Sequence, residues 1–291
     1  MTSASVSMPD MSTGIEGRLD PREFKRIAAI VQEDARIDLP SSKSTLVFSR
    51  LSRRVRDHGL SSFVEYLQFV EANAQERAAM VEALTTNHTH FFRENHHFDH
   101  FREHVLSELQ KQAQSGQPVR LWSAGCSSGE EVYSLAMCML GTSRYAARWA
   151  FDTDVKFLAT DLSAKVVAAV RKAVYSEFTV KPIPDAYRRE WIRPEGEDFS
   201  IVEDVRQLVT ARELNLFATW PMRQQYDVIF CRNVMIYFDD HAKAELIDRF
   251  AQLLRPGGYL YIGHSERLIG PGAAGFTCCG QTIYRKEGAR S

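Results

Sequence analysis

The run Gly125-Cys126-Ser127-Ser128-Gly129-Glu130-Glu131 sits between a short apolar stretch, Val119 to Trp122, and a helix-like pattern of Val132, Leu135, Ala136 and Leu140. Strand, small-residue turn and helix form the unit in which a doubly wound fold brings backbone amides against a nucleotide-like ligand. A phosphate cradle would carry a Lys or an uncharged helix start, because a helix N-terminus already attracts anions. Glu130 and Glu131 at that end disfavour a pyrophosphate and suit a cationic ligand. S-adenosylmethionine, with a sulfonium, an ammonium and no phosphate, fits this pattern. A purely structural turn is the plainer alternative.

Other residues could complete such a site. Asp161 follows the apolar run ending at Thr160, at the carboxyl end of a second strand, where an acidic side chain can accept from both ribose hydroxyls. Its distance from the glycines exceeds the roughly 20 residues of a dinucleotide fingerprint, which weakens a nicotinamide reading. Its plain role would be to cap a helix starting near Ser163. Tyr226 to Cys231 reads as a buried strand running into Arg232 and Asn233, with Tyr237 four residues beyond, and Asn215 closes the strand before it. Singly each reads as a loop residue; together, four strand ends present polar groups to one rim, where open α/β sheets bind ligands. The stretch Thr85 to Glu94 carries Asn87, Thr89, Phe91, Phe92 and Arg93, unusual residues for a flexible linker. His96, His100 and His104 share a helical face, but no cysteine or carboxylate set completes a metal site, so none is expected. Gly263-His264-Ser265-Glu266 lacks the nucleophile-elbow spacing of a hydrolase.

The positioning elements follow from the patterning. Residues 1–19 show no periodicity and are expected to be a disordered tail. An N-cap Asp20, Pro21 and the helical spacing of Phe24, Ile27, Ala28 and Val31 open a helical domain over 20–85, with further helices near 43–57, 61–71 and 75–85. A connecting segment, 86–97, leads into 98–291, where strands alternate with helices. Strands are expected at Val119–Ser123, Phe157–Thr160, Leu208–Asn215, Tyr226–Cys231 and Tyr259–Gly263, with helices near 97–113, 129–140, 163–172 and 240–254; this rhythm implies a mostly parallel sheet covered on both faces. The Pro-rich section 175–205 is too long for an ordinary loop and reads as an inserted subdomain.

Composition excludes several classes. The 291 residues are 44% hydrophobic and 25% charged with a formal net charge of -1, an ordinary globule and not a whole-chain nucleic-acid binder. No run reaches the ~18 apolar residues of a membrane span and no signal-peptide pattern opens the chain. The five cysteines (Cys126, Cys138, Cys231, Cys278, Cys279) form no C-x-x-C pair. A reduced, cytoplasmic, monomeric protein is expected.

With these segments in place, the chain resembles the CheR family of chemoreceptor glutamate O-methyltransferases. The matching stretches are T-T-N-H-T-H-F-F-R (85–93), W-S-A-G-C-S-S-G-E-E (122–131), A-T-D-L (159–162), F-C-R-N-V-M-I-Y-F (230–238) and R-P-G-G-Y-L-Y-I-G-H-S-E (255–266). The resemblance implies a Rossmann-like methyltransferase domain with a small inserted antiparallel β subdomain, preceded by a small all-helical domain. It implies S-adenosylmethionine as methyl donor, S-adenosylhomocysteine as product, and a chemoreceptor cytoplasmic domain as partner. Asn87, Thr89 and Arg93 would line the cofactor and methyl-transfer region, with Gly125 in the cofactor turn. Glu130 would hold the methionine end and Asp161 the ribose. Asn215 and Leu216 would flank the adenine, Arg232 and Asn233 would complete the pocket, and Arg93 and Tyr237 would stand nearest the reacting methyl. Arg50, Arg53, Arg54 and Arg56, with Lys43, lie on a helix face opposite Val47, Leu51 and Val55 and would dock the acidic receptor helices. One departure is a loop between Trp191 and Val202 about three residues shorter than in members that grip a receptor's C-terminal tether, which weakens that expectation. The alternatives are a methyltransferase of RNA or a small molecule, or a cofactor-binding module without turnover.

Overall fold

The computed structural model describes residues 19–288, so the expected tail at 1–19 lies, save for its last residue, outside the described residues. Two compact units form: one runs to Asp34 and resumes over Asp38–Thr85, the other comprises Ala35–Ile37 and the chain from Thr86.

The first unit is helical: α1 (Pro21–Ala35), α2 (Ser44–Asp57), α3 (Phe63–Ala72) and α4 (Ala74–Leu84). Its helix starts are written in the sequence. Asp20 accepts from Arg22 N at 2.7 Å, Ser62 caps α3 at Glu65 N, and Asn73 caps α4 at Glu76 N, each satisfying an amide with no partner inside the helix. Ile27, Val31, Val47, Leu51, Val55, Tyr66, Val70 and Met80 are fully buried between them. Glu76 is buried as well, and its carboxylate accepts from Arg54 (2.7 Å to each oxygen), the Tyr66 hydroxyl at 2.7 Å and His58 at 2.8 Å. Burial alone would raise its pKa; the Arg54, Tyr66 and His58 hydrogen bonds outweigh that and hold it down at about 2.

The second unit is built on a seven-stranded sheet. Its strands are β1 (Val119–Ala124), β2 (Val155–Asp161), β6 (Val209–Glu213), β7 (Tyr226–Cys231), β8 (Leu254–Ile262), β9 (Phe276–Gly280) and β10 (Ile283–Lys286), in the order β6-β2-β1-β7-β8-β10-β9. The first five are mutually parallel; β10 and β9 close one edge antiparallel. The helices are α5 (His96–His100), α6 (Leu106–Gln114), α7 (Glu130–Leu140), α8 (Arg148–Phe151), α9 (Ala164–Lys172), α10 (Glu177–Val180), α11 (Asp185–Trp191), α12 (Glu203–Leu208) and α13 (Asp240–Leu253). Trp122 is level with Ile229 in the β1–β7 register, so Trp122 and Phe230 lie on opposite faces of the sheet. Trp122 meets Trp220 and Phe250 edge-on, while Phe230 stacks on Phe98 and Tyr261. Both faces are therefore covered, as the near-continuous apolar strands require.

The inserted section holds a second, antiparallel sheet in the order β3-β5-β4, from β3 (Val174–Tyr175), β4 (Ile192–Glu195) and β5 (Asp198–Ile201). Glu195 pairs with Asp198 across a two-residue turn in which Gly196 has φ +64°. Several features depart from the sequence reading, among them the expected strand Leu208–Asn215, which runs only over Val209–Glu213, with Leu208 ending α12 and Asn215 two residues past the strand. The expected helix 97–113 is interrupted by a π-type turn at Phe101–Val105, and β9 and β10 were not anticipated. No helix among the described residues is long and apolar enough to cross a membrane.

Candidate functional site

Because β1, β2, β6, β7 and β8 are parallel, their carboxyl ends share one edge, and the segments singled out in the sequence follow those ends. The turn after β1 is fixed from several sides. Gly125 N and Cys126 N donate to the Thr160 carbonyl at 2.8 and 2.9 Å, Tyr175 Oη donates to the Ser128 carbonyl, and Ser127 Oγ donates to the Asn87 carbonyl at 2.9 Å. Gly125 sits at φ +77°, and a Cβ there would meet Val234 Cγ2 at 2.4 Å. Only glycine fits, because the loop after β7 closes over this turn.

Asp161 ends β2 and is 8% exposed. One carboxylate oxygen accepts from Ser127 N at 2.9 Å, the other from Ser163 N at 3.1 Å. It thus joins the glycine turn to the start of α9, which Ser163 caps at Val166 N; the plain capping role and a ligand role share one side chain. Glu130, at the first position of α7, is 5% exposed. Its hydrogen bond comes from the neutral Ser128 hydroxyl at 2.7 Å, and burial raises its pKa. A buried carboxylate held by a hydroxyl, following a glycine-bearing turn that an acidic strand end braces, fits a ligand bearing an ammonium and a ribose. Asn215 accepts from Phe217 N at 2.9 Å, and Leu216 is buried with its carbonyl bonded to Trp220 Nε1.

The segment 86–95 is a turn pinned along its length. Phe92 and Glu94 occupy left-handed backbone, φ 56° for each, an uncommon conformation for such residues that needs support from neighbours. That support is visible: Phe92 N donates to Ser134 Oγ of α7, and Arg232 donates to the Arg93 carbonyl. The Arg93 side chain is half-buried and donates to the His88 carbonyl at 2.9 Å. Asn87 is exposed and Thr89 half-buried. Tyr237 is half-exposed in the short helical turn Met235–Tyr237.

Glu94 and Glu266, to which the sequence reading assigned no role, organise this rim together with Glu131. Arg232, its side chain 1% exposed, lies 3.4 Å from both Glu94 and Glu131 and packs on the Phe98 and Phe230 rings. It braces the rim from within the protein. Glu131 also accepts from Ser123 Oγ at 2.7 Å, and burial raises its pKa. Burial would raise Glu94 too, but His264, Arg232 and Asn233 draw it down to about 2. Glu266 accepts from the backbone of Gly263, Asn233 (3.1 Å) and Ile236 (3.2 Å), so it holds the loop that carries Tyr237. Asn233 itself has φ 59°, and a Cβ on Gly263 would come within 2.6 Å of its Nδ2. The signal was the charge within T-T-N-H-T-H-F-F-R-E and G-H-S-E, which single-residue reasoning left unpaired.

Two expectations change in detail. On α2 the four arginines do not share one solvent face: Arg54 pairs with buried Glu76, and Arg50 donates to the Leu84 and Thr85 carbonyls at the end of α4. Both flank the apolar stripe, and their long stems carry the guanidinium inward. Arg53, with 83% of its side chain exposed, and Arg56 and Lys43 remain outside. On the histidine face, His100 and His104 meet with ring centroids 4.8 Å apart, but His100 bonds the Tyr261 hydroxyl at 2.9 Å, His104 is exposed, and His96 lies against His97.

Residues 22–85 match the family model described as "CheR methyltransferase, all-alpha domain", and residues 87–284 match "CheR methyltransferase, SAM binding domain". A probable chemotaxis protein methyltransferase of Rhizobium etli is 45% identical over 262 residues, covering 88% of this chain and 96% of that protein. Chemotaxis protein methyltransferase 2 of Pseudomonas aeruginosa is 38% identical, covering 90% and 92%, and the chemotaxis protein methyltransferase of Escherichia coli is 37% identical, covering 91% of each. A helical unit ahead of a mostly parallel sheet, with a glycine turn and acidic strand ends on one rim, thus has whole-length counterparts, and the chain belongs to the CheR methyltransferase family.

Proposed function

We propose that this protein transfers a methyl group from S-adenosylmethionine to glutamate carboxylates on chemoreceptor cytoplasmic helices, giving glutamyl methyl esters for sensory adaptation. The observation that carries the reading is the presence of two buried carboxylates, Glu130 following the Gly125 turn and Asp161 bracing it, in a chain whose relatives over about nine-tenths of its length are named chemotaxis methyltransferases. When bound, the cofactor supplies an electrophilic methyl group on a sulfonium. Glu130 takes the ammonium end, Asp161 the ribose, and Asn215 with Leu216 the adenine. Asn87, Thr89 and Asn233 complete the lining, and Arg232 holds it in shape.

The chemistry asked of the side chains is modest. A glutamate carboxylate is ionised near neutrality, its reference pKa being about 4.3, so no general base is required. Arg93 and Tyr237 orient that carboxylate, and in-line positioning of this kind is worth roughly 7–11 kcal/mol. A full bidentate arginine clamp would quench the nucleophile; the hydrogen bond from Arg93 to the His88 carbonyl anchors one end of the guanidinium on the protein. The test is labelled S-adenosylmethionine offered to chemoreceptor-containing membranes and, separately, to RNA and small-molecule extracts. Label must enter the receptor protein. Label in RNA or small molecules alone, or none anywhere, contradicts the proposal.

Glu130 makes cofactor binding pH-dependent. Its carboxylate form attracts an ammonium, and burial raises its pKa in the free protein, so protonation begins closer to neutrality than for an exposed glutamate. Affinity for S-adenosylhomocysteine should therefore fall as pH is lowered through that raised pKa. Calorimetry across pH should show the fall in the wild type and a flatter profile in Glu130→Gln. Equal slopes in both would remove Glu130 from the ammonium site.

Receptor docking is assigned to the exposed cations of α2. Electrostatic contacts weaken over a Debye length of about 8 Å at physiological ionic strength. Arg53→Glu with Arg56→Glu should raise the apparent receptor KM about tenfold, with most of the effect lost at high salt. Cofactor affinity should be unchanged. Methylation insensitive to salt and to both reversals would eliminate this face. The tight Gly196-Glu197 turn leaves no glycine-rich loop, and direct helix docking is proposed in preference to tether capture.

A further inference from the structure

Three buried atoms without a hydrogen-bond partner come together on one short stretch: Glu94 Oε2, His96 Nε2 and His97 Nδ1. They lie within 4.8 Å of one another. His97 has no exposed surface. Its Nε2 faces the Gln281 carbonyl at 3.3 Å and the Thr282 hydroxyl at 3.0 Å. A carbonyl only accepts, so the ring proton sits on Nε2 and the lone pair on Nδ1. That lone pair faces Glu94 Oε2, itself an acceptor, across 3.6 Å. Arg232 offsets the charge of that oxygen from 3.4 Å, yet two lone pairs opposed away from water are costly unless a proton or a metal cation lies between them.

We propose that Glu94, His96 and His97 bind a divalent transition-metal ion, Zn2+ being the first candidate, and that the ion pins the turn carrying Arg93. Two imidazole nitrogens and one carboxylate oxygen are a common donor set for such ions, with solvent in the remaining position. Tetrahedral Zn2+ places its nitrogen and oxygen donors about 3.3 Å apart, so an ion would have to draw together three atoms that lie within 4.8 Å of one another. The supporting contacts are those of a metal centre. Nε2 of His97 donates to a carbonyl, fixing the ring, while the other Glu94 oxygen accepts from His264 at 2.8 Å and Asn233 at 3.2 Å, aiming Oε2 inward. Glu94 and Glu131 together exceed the single Arg232 cation beside them by one negative charge, which favours a cation here. The left-handed backbone at Phe92 and Glu94 is the strained segment that such an ion would secure.

The experiment uses the full chain after chelator treatment, titrated calorimetrically with Zn2+ and with Co2+. One equivalent of each should bind, the Tm should rise with metal, and His96→Ala and Glu94→Gln should each lower affinity at least about tenfold. His96→Ala should keep its S-adenosylhomocysteine affinity, which separates this site from the methyl-transfer reading. The Co2+ form of the wild type gives a readout independent of variant folding: hyperfine-shifted ring N–H resonances from two histidines, one slow to exchange. Absence of saturable binding by either ion in the wild type would overturn the proposal and leave a shared proton or a water between the three atoms. Binding unaltered in both variants, or shifted resonances from exposed histidines only, would overturn it equally.

Discussion

Asp161→Ala should weaken S-adenosylhomocysteine binding by about 100-fold or more. The carboxylate is proposed to accept from the ribose while already accepting from Ser127 N and Ser163 N. Hydrogen bonds to a charged group contribute roughly 1.5–3 kcal/mol each, and each 1.4 kcal/mol is about tenfold in affinity. The alanine variant loses the ribose contact and frees two amides, Ser127 N in the glycine turn and Ser163 N at the start of α9, so its effect should exceed that of a simple contact deletion. Asp161→Asn, which keeps the shape but turns one acceptor into a donor, should fall between the two. Calorimetry checks the series, with Tm recorded alongside. An alanine variant of parent affinity would take Asp161 out of the ribose role and leave it as a turn brace only.

Arg93→Ala and Tyr237→Phe should behave differently. Both should cut kcat for receptor methylation by about 10²-fold, the scale of losing one positioning donor in a catalytic site. Cofactor affinity should change much less, because an interaction made chiefly in the transition state leaves its mark on turnover. The Arg93 backbone is fixed on both sides by Phe92 N–Ser134 and by Arg232, so removing its side chain leaves the turn in place. Single-turnover methylation and separate cofactor titrations would distinguish the two quantities. Parent-rate transfer by both variants would put the reacting centre elsewhere.

Much of this architecture is legible from short-range chemistry. The capping residues Asp20, Ser62, Asn73 and Ser163 mark helix starts because each satisfies an amide three or fewer residues away. The strand Tyr226–Cys231 is readable as an apolar run, broken only by Asp227, because both of its faces are covered. The carboxyl-end rim follows once the strands are known to be parallel. Less legible are features set by pairing over long sequence distances. Glu94 meets His264 across 170 positions and Arg232 across 138, and Glu266 reaches back to Asn233; none of these partners is adjacent in sequence. The inward turn of Arg54 likewise depends on Glu76 lying on a different helix. The π-type turn at Phe101–Val105 has no Gly or Pro to announce it, and His100 and His104 still meet across it with ring centroids 4.8 Å apart.

The central claim concerns the bond that is made. Chemoreceptor membranes methylated by this protein with labelled S-adenosylmethionine, then treated with mild alkali, should release the label as volatile methanol, since a glutamyl methyl ester hydrolyses under those conditions. Mass spectrometry of untreated receptor should place the methyl groups on glutamates of the cytoplasmic helices. Alkali-stable label on receptor lysines, or label confined to RNA or small molecules, would contradict the account.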